Sequence, residues 1–368
     1  LPKTLQTGAV QTATAQTEVV RAAQAGEFRP GRFLRNGHLM TIVGNYLPRE
    51  HALPPEEPWF VEAEPASQAT AVSPARRSTV LRCDCHWQPA EARRERLTVV
   101  LVHGLEGSSR SQYILGTSSR AWAAGFNVVR MNMRSCGGTD ELSPGIYHSG
   151  RSDDVAAVVA GLAREHGLRD IALVGFSMGG NLVLKYAGEL GPAPELRAVV
   201  GISPLMDLAP SSKALHLPQN RVYEWKFLRG MLRRFRKKVG LFPELYSFDG
   251  LDKIKSMRDF DQNVVARYGG FADADDYYQT VASSKFAGDL ALPTLILHAL
   301  DDPFIRMLPS TRAALLANPN VAFLETRYGG HCAFLSPERG SERHWAEKTL
   351  VEWLVRVSAN SEGPDSRS

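Results

Sequence analysis

Short apolar runs recur along the chain at the length of buried strands, and stretches of helical periodicity separate them. Runs at Ser78–Cys83, Leu97–Val102, Phe126–Arg130, Ile171–Gly175, Ala198–Ile202, Thr294–His298 and Ala322–Glu325 predict strands. A further short strand is expected at Trp59–Glu62, inside a Pro-, Glu- and Ala-rich extended stretch at 48–74. Helices are expected at Ser118–Ala124, Ser152–Glu165, Gly179–Glu189 and His344–Val357, with Ser152 as an N-cap and Asp153 and Asp154 favourable in the first turn. Continuous apolar strands alternating with helices predict an α/β fold with a parallel sheet covered by helices on both faces.

The alternation stops at about 205–290, where the chain reads as helical and polar. This stretch is expected to be a helical lid inserted over the sheet edge. Within it, 225–239 holds Lys226, Arg229, Arg233, Arg234, Arg236, Lys237 and Lys238 and no acidic residue. Leu228, Leu232, Phe235 and Val239 fall at helical spacing. The segment reads as an amphipathic helix with a solvated basic face; contact with anionic lipid or an acidic substrate is the sharper alternative. Residues 1–27 are Thr-, Gln- and Ala-rich and read as a flexible lead-in. Residues 28–357 form the expected domain, and 358–368 a disordered tail.

Composition changes this picture little. At 43% hydrophobic and 22% charged, the 368 residues suffice for a sizeable core. The net charge of +4 gives no nucleic-acid signature. Four cysteines are too few for a disulfide scaffold. No apolar run approaches the roughly 20 residues of a membrane span. No secretory core stands behind a basic start, so a cytoplasmic location is expected.

The chemistry concentrates in Ile171-Ala-Leu-Val-Gly175-Phe-Ser177-Met-Gly179-Gly180-Asn181. A strand running through Gly-x-Ser-x-Gly into a helix raises a serine hydroxyl above the carboxyl end of the sheet. Ser177 is the expected nucleophile. Such a serine needs a base held by an acid, and both follow in chain order. A predicted strand ends in Asp301-Asp302-Pro303, and a later one leads to Gly329-Gly330-His331. The spacing Ala299, Asp302, Ile305 favours Asp302 as the acid, with Asp301 capping or bracing its loop. His331 is the expected base; His298 and His344 sit where a packed or surface histidine is the ordinary reading. Backbone N–H groups of Leu105 and Met178 are the expected oxyanion donors, and His103 reads as a loop brace. Cys83-Asp-Cys85-His86 lacks a second ligand pair, Cys332 reads as packing, and Arg134-Ser-Cys-Gly-Gly138 lacks a phosphate-loop ending. No cofactor and no metal are expected.

The chain resembles the YheT-like branch of the α/β-hydrolases, which also holds the mammalian abhydrolase-domain proteins 1 and 3. The resemblance rests on Phe28-Arg-Pro30, Arg35-Asn36-Gly37-His38-Leu39, His103-Gly-Leu-Glu-Gly-Ser108, Asn132-Met-Arg134, Tyr147-His148-Ser-Gly150, the Ser177 elbow, Phe260-Asp261, Asp276-Tyr277-Tyr278, Asp301-Asp302-Pro303-Phe304 and Gly329-Gly330-His331. It covers roughly residues 28–357. It implies an α/β-hydrolase fold with a mostly parallel sheet of about eight strands and a lid, and an esterase acting on carboxylic esters, with short acyl chains in bacterial-type members and lipid acyl chains in some animal ones. The same triad could serve an acyltransferase, and the same fold a non-catalytic binding scaffold.

Overall fold

A computed structural model describes residues 28–49, 51–68 and 77–361. The expected lead-in at 1–27 and the chain beyond 361 lie outside the described residues. Eight strands form one sheet: β1 (Glu57–Glu64), β2 (Thr79–His86), β3 (Thr98–Val102), β4 (Asn127–Met131), β5 (Ile171–Phe176), β6 (Leu196–Ile202), β7 (Thr294–Ala299) and β8 (Val321–Thr326). Their order is β1-β2-β4-β3-β5-β6-β7-β8. β1 pairs with β2, and β2 with β4, in antiparallel register; every other pairing is parallel.

Burial explains which strands read clearly. Every residue of β3, β4, β5 and β7 is buried. Side chains alternate between two apolar layers. Val100 and Val102 join a core with Val155, Val158, Leu182 and Val183. Val99 and Leu101 join another with Ile114, Ala121, Leu350 and Trp353. The first layer is built on helices α3 (Ser152–His166) and α4 (Met178–Leu190), the second on α2 (Gln112–Ala123) and α11 (Trp345–Ser361). α1 (Gly37–Tyr46) precedes the sheet and packs beside α2. β1 is a sheet edge and alternates: Trp59 and Val61 are buried, Phe60 and Glu62 are not.

Between β6 and β7 the chain forms helices only: α5 (Leu208–Leu215), α6 (Arg221–Leu241), α7 (Met257–Phe260), a π-helical turn at Asp261–Ala266, α8 (Arg267–Gly269) and α9 (Ala274–Val281), with short 3₁₀ turns between them. α10 (Pro309–Ala317) links β7 to β8. Among the described residues, no helix is long and apolar enough to cross a membrane.

Three expectations need correction. Ser152 does not cap α3; Arg151 holds the cap position, and Ser152 Oγ instead accepts from Lys185 Nζ at 2.9 Å and donates to Glu189 at 2.7 Å. α2 begins six residues earlier than expected, because its polar Thr117 and Ser118 turn their hydroxyls back onto the carbonyls of Tyr113 and Ile114 and are buried. The closing helix continues to Ser361, past the expected boundary at 357.

Arg134 follows β4 and is buried. Its Nε lies 2.9 and 2.8 Å from the two carboxylate oxygens of Asp154 on α3. This fixes the loop after β4 to a helix under the sheet. Arg134→Met leaves Asp154 buried without its cation, so it should lower the free energy of unfolding by about 3–5 kcal/mol. Urea unfolding followed by circular dichroism checks this, and a change within about 1 kcal/mol would refute it.

Candidate active site

Four loops meet above the carboxyl ends of the parallel strands, where open α/β sheets form their ligand crevice. They follow β3, β5, β7 and β8. The turn after β5 is the tightest. Ser177 holds φ 54° and ψ −115°, a conformation that strains a residue bearing a Cβ by about 1–3 kcal/mol. Its neighbours make room for it. A Cβ on Gly175 would collide with the Gly179 carbonyl, and one on Gly179 with the carbonyls of Val102 and His103. Ser177 N–H donates to the Ile202 carbonyl at 2.9 Å, and the Ser177 carbonyl accepts from Leu205 N–H at 3.1 Å. Asn181 pins the turn from below: its Nδ2 donates to the carbonyls of Ser149 and Val281, and its Oδ1 accepts from Ser283 N–H.

The loop after β3 presses against this turn; a Cβ on Gly104 would stand 3.2 Å from Ser177 Cβ. His103 braces it. Met133 N–H donates to His103 Nε2 at 3.2 Å, which leaves the proton on Nδ1 to donate to the Gly104 carbonyl at 2.8 Å. Burial pushes the His103 pKa down to about 4, so the ring is a neutral strut. Gly104 N–H donates to Tyr113 Oη at 2.9 Å. Among the described residues, the N–H groups of Leu105 and Met178 have no acceptor, and both residues line the same cavity as Ser177. Met178 is also the first residue of α4, where the helix dipole favours negative charge.

Glu106 comes next, with φ 58°. Its Oε1 accepts from Tyr147 Oη at 2.8 Å and from Arg234 Nε at 2.9 Å. Arg234 also donates to the carbonyl of Ser135, itself at φ 60°. α6 comes close enough here that a Cβ on Gly230 would strike the Glu106 carboxylate. Thus Arg234, expected on a solvated face, is turned inward. So is Lys238, which donates to the carbonyls of Asp140 and Ser143.

After β7, Asp302 is buried. Its Oδ2 lies 2.8 Å from His331 Nδ1, and its Oδ1 accepts from the N–H groups of Phe304 and Ile305 at 3.1 and 2.9 Å. Burial opposes its charge, yet His331 and these donors hold its pKa below the ordinary carboxylate value. Asp301 braces the neighbouring loop by accepting from Gly330 N–H at 2.8 Å. His331 N–H donates to Thr41 Oγ1 on α1 at 2.8 Å, and the imidazole packs on Phe304 with centroids 4.5 Å apart. Burial disfavours the imidazolium, but Cys332 and Asp302 outweigh it and raise the His331 pKa above its ordinary value. His331 Nε2 lies 3.8 Å from Cys332 Sγ. Ser177 Oγ takes no hydrogen bond among the described residues and faces the cavity.

The other candidates lie apart. His298 is buried within β7 and His344 before α11, each with its pKa lowered by burial. Cys83, Cys85 and His86 are buried on β2. Among the described residues, no cluster of His, Cys, Asp and Glu is placed to hold a metal ion.

The cavity over Ser177 encloses about 780 Å³, its open mouth included. Its walls are mostly apolar, with Leu105, Leu208, Phe227, Met231, Val265 and Phe304 prominent. Among the described residues, one carboxyl reaches it: Asp261 in the π-helical turn, whose pKa burial raises to about 7 and whose Oδ2 accepts from Tyr278 Oη at 2.6 Å. Sequence reading missed the supporting residues Thr41, Tyr113, Glu106 and Asn181. Their motifs were visible, since Asn36-Gly37-His38 opens α1 and Glu106 and Asn181 flank the expected site residues. Their partners were not.

Residues 98–337 match the α/β hydrolase fold family. YheT of Escherichia coli (strain K12), whose name marks it as a candidate esterase, is 30% identical over 346 residues, covering 92% of this chain and 96% of that protein. Human phospholipase ABHD3 is 30% identical over 264 residues, 71% of this chain and 64% of that one. Among solved structures, a 2,6-dihydroxy-pseudo-oxynicotine hydrolase superposes with a TM-score of 0.52 at 16% identity, over 84% of this chain and 69% of its own, and shows a shared fold. With the sheet order and the serine turn in place, these relationships make the chain a hydrolase of the α/β hydrolase fold family, in the branch that holds YheT and ABHD3.

Proposed function

We propose that the protein is a serine esterase that cleaves carboxylic esters, with acyl chains of short to medium length. The observation that carries this reading is the 2.8 Å contact between buried Asp302 and His331, on a loop whose next residue, Cys332, donates its N–H to Ser203 Oγ beside the Ile202 carbonyl that holds Ser177 N–H. Ser177 Oγ attacks the ester carbonyl carbon while His331 Nε2 takes its proton. Asp302 holds the ring with its proton on Nδ1 and stabilises the imidazolium. The oxyanion that forms accepts from the N–H groups of Leu105 and Met178. Collapse breaks the bond to the alkoxy group, and His331 returns the proton to the leaving alcohol. Water then attacks the acyl-enzyme by the same route, with His331 as base, and releases the carboxylic acid and Ser177.

Supporting the substrate class, the apolar walls over Ser177 suit an acyl chain, and ABHD3 is named a phospholipase. Glu106 acts as a positioning residue: its bonds to Tyr147 and Arg234 hold the backbone that presents Leu105 N–H.

Across p-nitrophenyl esters of two to sixteen acyl carbons, turnover should favour the short and medium chains, and Ser177→Ala should lower kcat by about 10⁴-fold or more with an unchanged circular dichroism spectrum. Retained turnover in that variant would remove Ser177 from the chemistry. Because His331 must be neutral to act as base and its pKa is raised, kcat/KM should climb with pH along an acid limb centred above the ordinary histidine value of 6.5; a limb centred at or below that value would contradict the Asp302–His331 coupling. Glu106→Ala should lower kcat by about 10- to 100-fold with KM within about twofold, the pattern of a weakened oxyanion donor. A fall in melting temperature alone would assign Glu106 to folding.

A further inference from the structure

α6 turns two unlike faces. Inward, Met231, Phe235 and Val239 are buried, and Glu224 accepts from Met257 N–H at 3.0 Å and meets His216 at 2.9 Å. Outward, Val222, Trp225, Lys226, Arg229, Arg233 and Arg236 follow one another at helical spacing. Val222 is 72% exposed and Trp225 60%. The Arg229 guanidinium lies over the Trp225 ring, 5.3 Å from its centroid.

α1 lies alongside. Tyr223 stacks on His38 with centroids 5.8 Å apart, and Lys226 Nζ sits 5.1 Å over the Tyr46 ring. α1 contains no Asp, Glu, Lys or Arg, and it exposes Leu39, Ile42 and Tyr46 along one side. Two neighbouring helices therefore present an apolar ridge bordered by cations. Glu224 is the one carboxylate on either helix, and it faces inward. Among the described residues, Arg229, Arg233 and Arg236 form no ion pair.

We propose that this face docks on an anionic lipid surface. A ridge of Trp, Tyr and aliphatic side chains flanked by Lys and Arg is the arrangement that lies in a bilayer interface, with the rings among the headgroups and the cations on the phosphates. Charge selects this occupant over a second copy of the chain, because a symmetric contact between two such faces would set their cations against one another. The same face adjoins the cavity. Tyr223 and Phe227 of α6 pack on Phe304, with centroids 5.2 and 6.0 Å apart, and Phe304 lines the cavity and touches His331. Docking brings the cavity wall to the surface where acyl esters reside, a consequence that rests on the esterase reading; the docking itself does not.

The test is co-sedimentation of the full chain with phosphatidylcholine vesicles, with and without phosphatidylglycerol. The protein should sediment with the anionic vesicles alone, its tryptophan emission moving to the blue. Trp225→Ala combined with Ile42→Ser should reduce the bound fraction by about tenfold or more, and Arg229→Gln, Arg233→Gln and Arg236→Gln together should do the same. Circular dichroism and melting temperature verify that both variants fold. Ser177→Ala should bind like the parent, which separates docking from catalysis. Absence of binding, or equal binding to both vesicle types by parent and variants, would overturn the proposal. So would a dimer in size-exclusion chromatography that Trp225→Ala dissolves while vesicles capture nothing.

Discussion

A serine side chain can stand clear of the sheet only if the backbone beneath it turns in a way that residues with a Cβ resist. At Ser177 that turn requires Gly175 and Gly179 to be bare, because carbonyl groups occupy the places their side chains would take. The carbonyls that crowd Gly179 belong to Val102 and His103, so the closeness that strains the serine also fixes the loop after β3 beside it. The Leu105 and Met178 N–H groups reach one cavity as a result of this packing, without dedicated side chains of their own.

Two histidines within this cluster show how environment assigns work. His103 and His331 are both enclosed, and burial acts on both against the charged ring. His103 meets a carbonyl and an amide, so burial wins and the ring stays neutral. His331 meets Cys332 and a buried carboxylate whose remaining oxygen is already held by two amides, and attraction wins. The loops carry residues of the same type, and their different neighbours separate a strut from a group able to exchange protons.

Much of this was legible along the chain. The central strands were found within a residue or two because burial on both faces leaves an uninterrupted apolar run that turn residues bound. The edge strand β1 is longer than expected, since a strand exposed on one side carries Glu57, Glu62 and Glu64 without penalty. The pairing of Asp302 with His331 follows two loops that the sequence already puts at strand ends. Polar residues buried through their own backbone were harder: Thr117 falls just before the expected start of α2 at Ser118, and only its hydroxyl bond to the Tyr113 carbonyl shows that the helix already runs through it. Basic residues on α6 look alike in sequence. What divides Arg234 and Lys238 from Arg233 and Arg236 is a carboxylate and a set of carbonyls lying roughly a hundred positions upstream.

The hydrogen bond from His331 to Thr41 joins residues 290 positions apart in the chain. Closing so long a loop is among the last gains a folding chain collects. A polypeptide emerging in order from the ribosome carries the Ser177 turn well before His331 exists, and the bonds of the His331 loop to Asp301, Asp302 and Thr41 come only after that. On the proposed chemistry, the serine turn is made early and waits for the loop after β8 before it has a base.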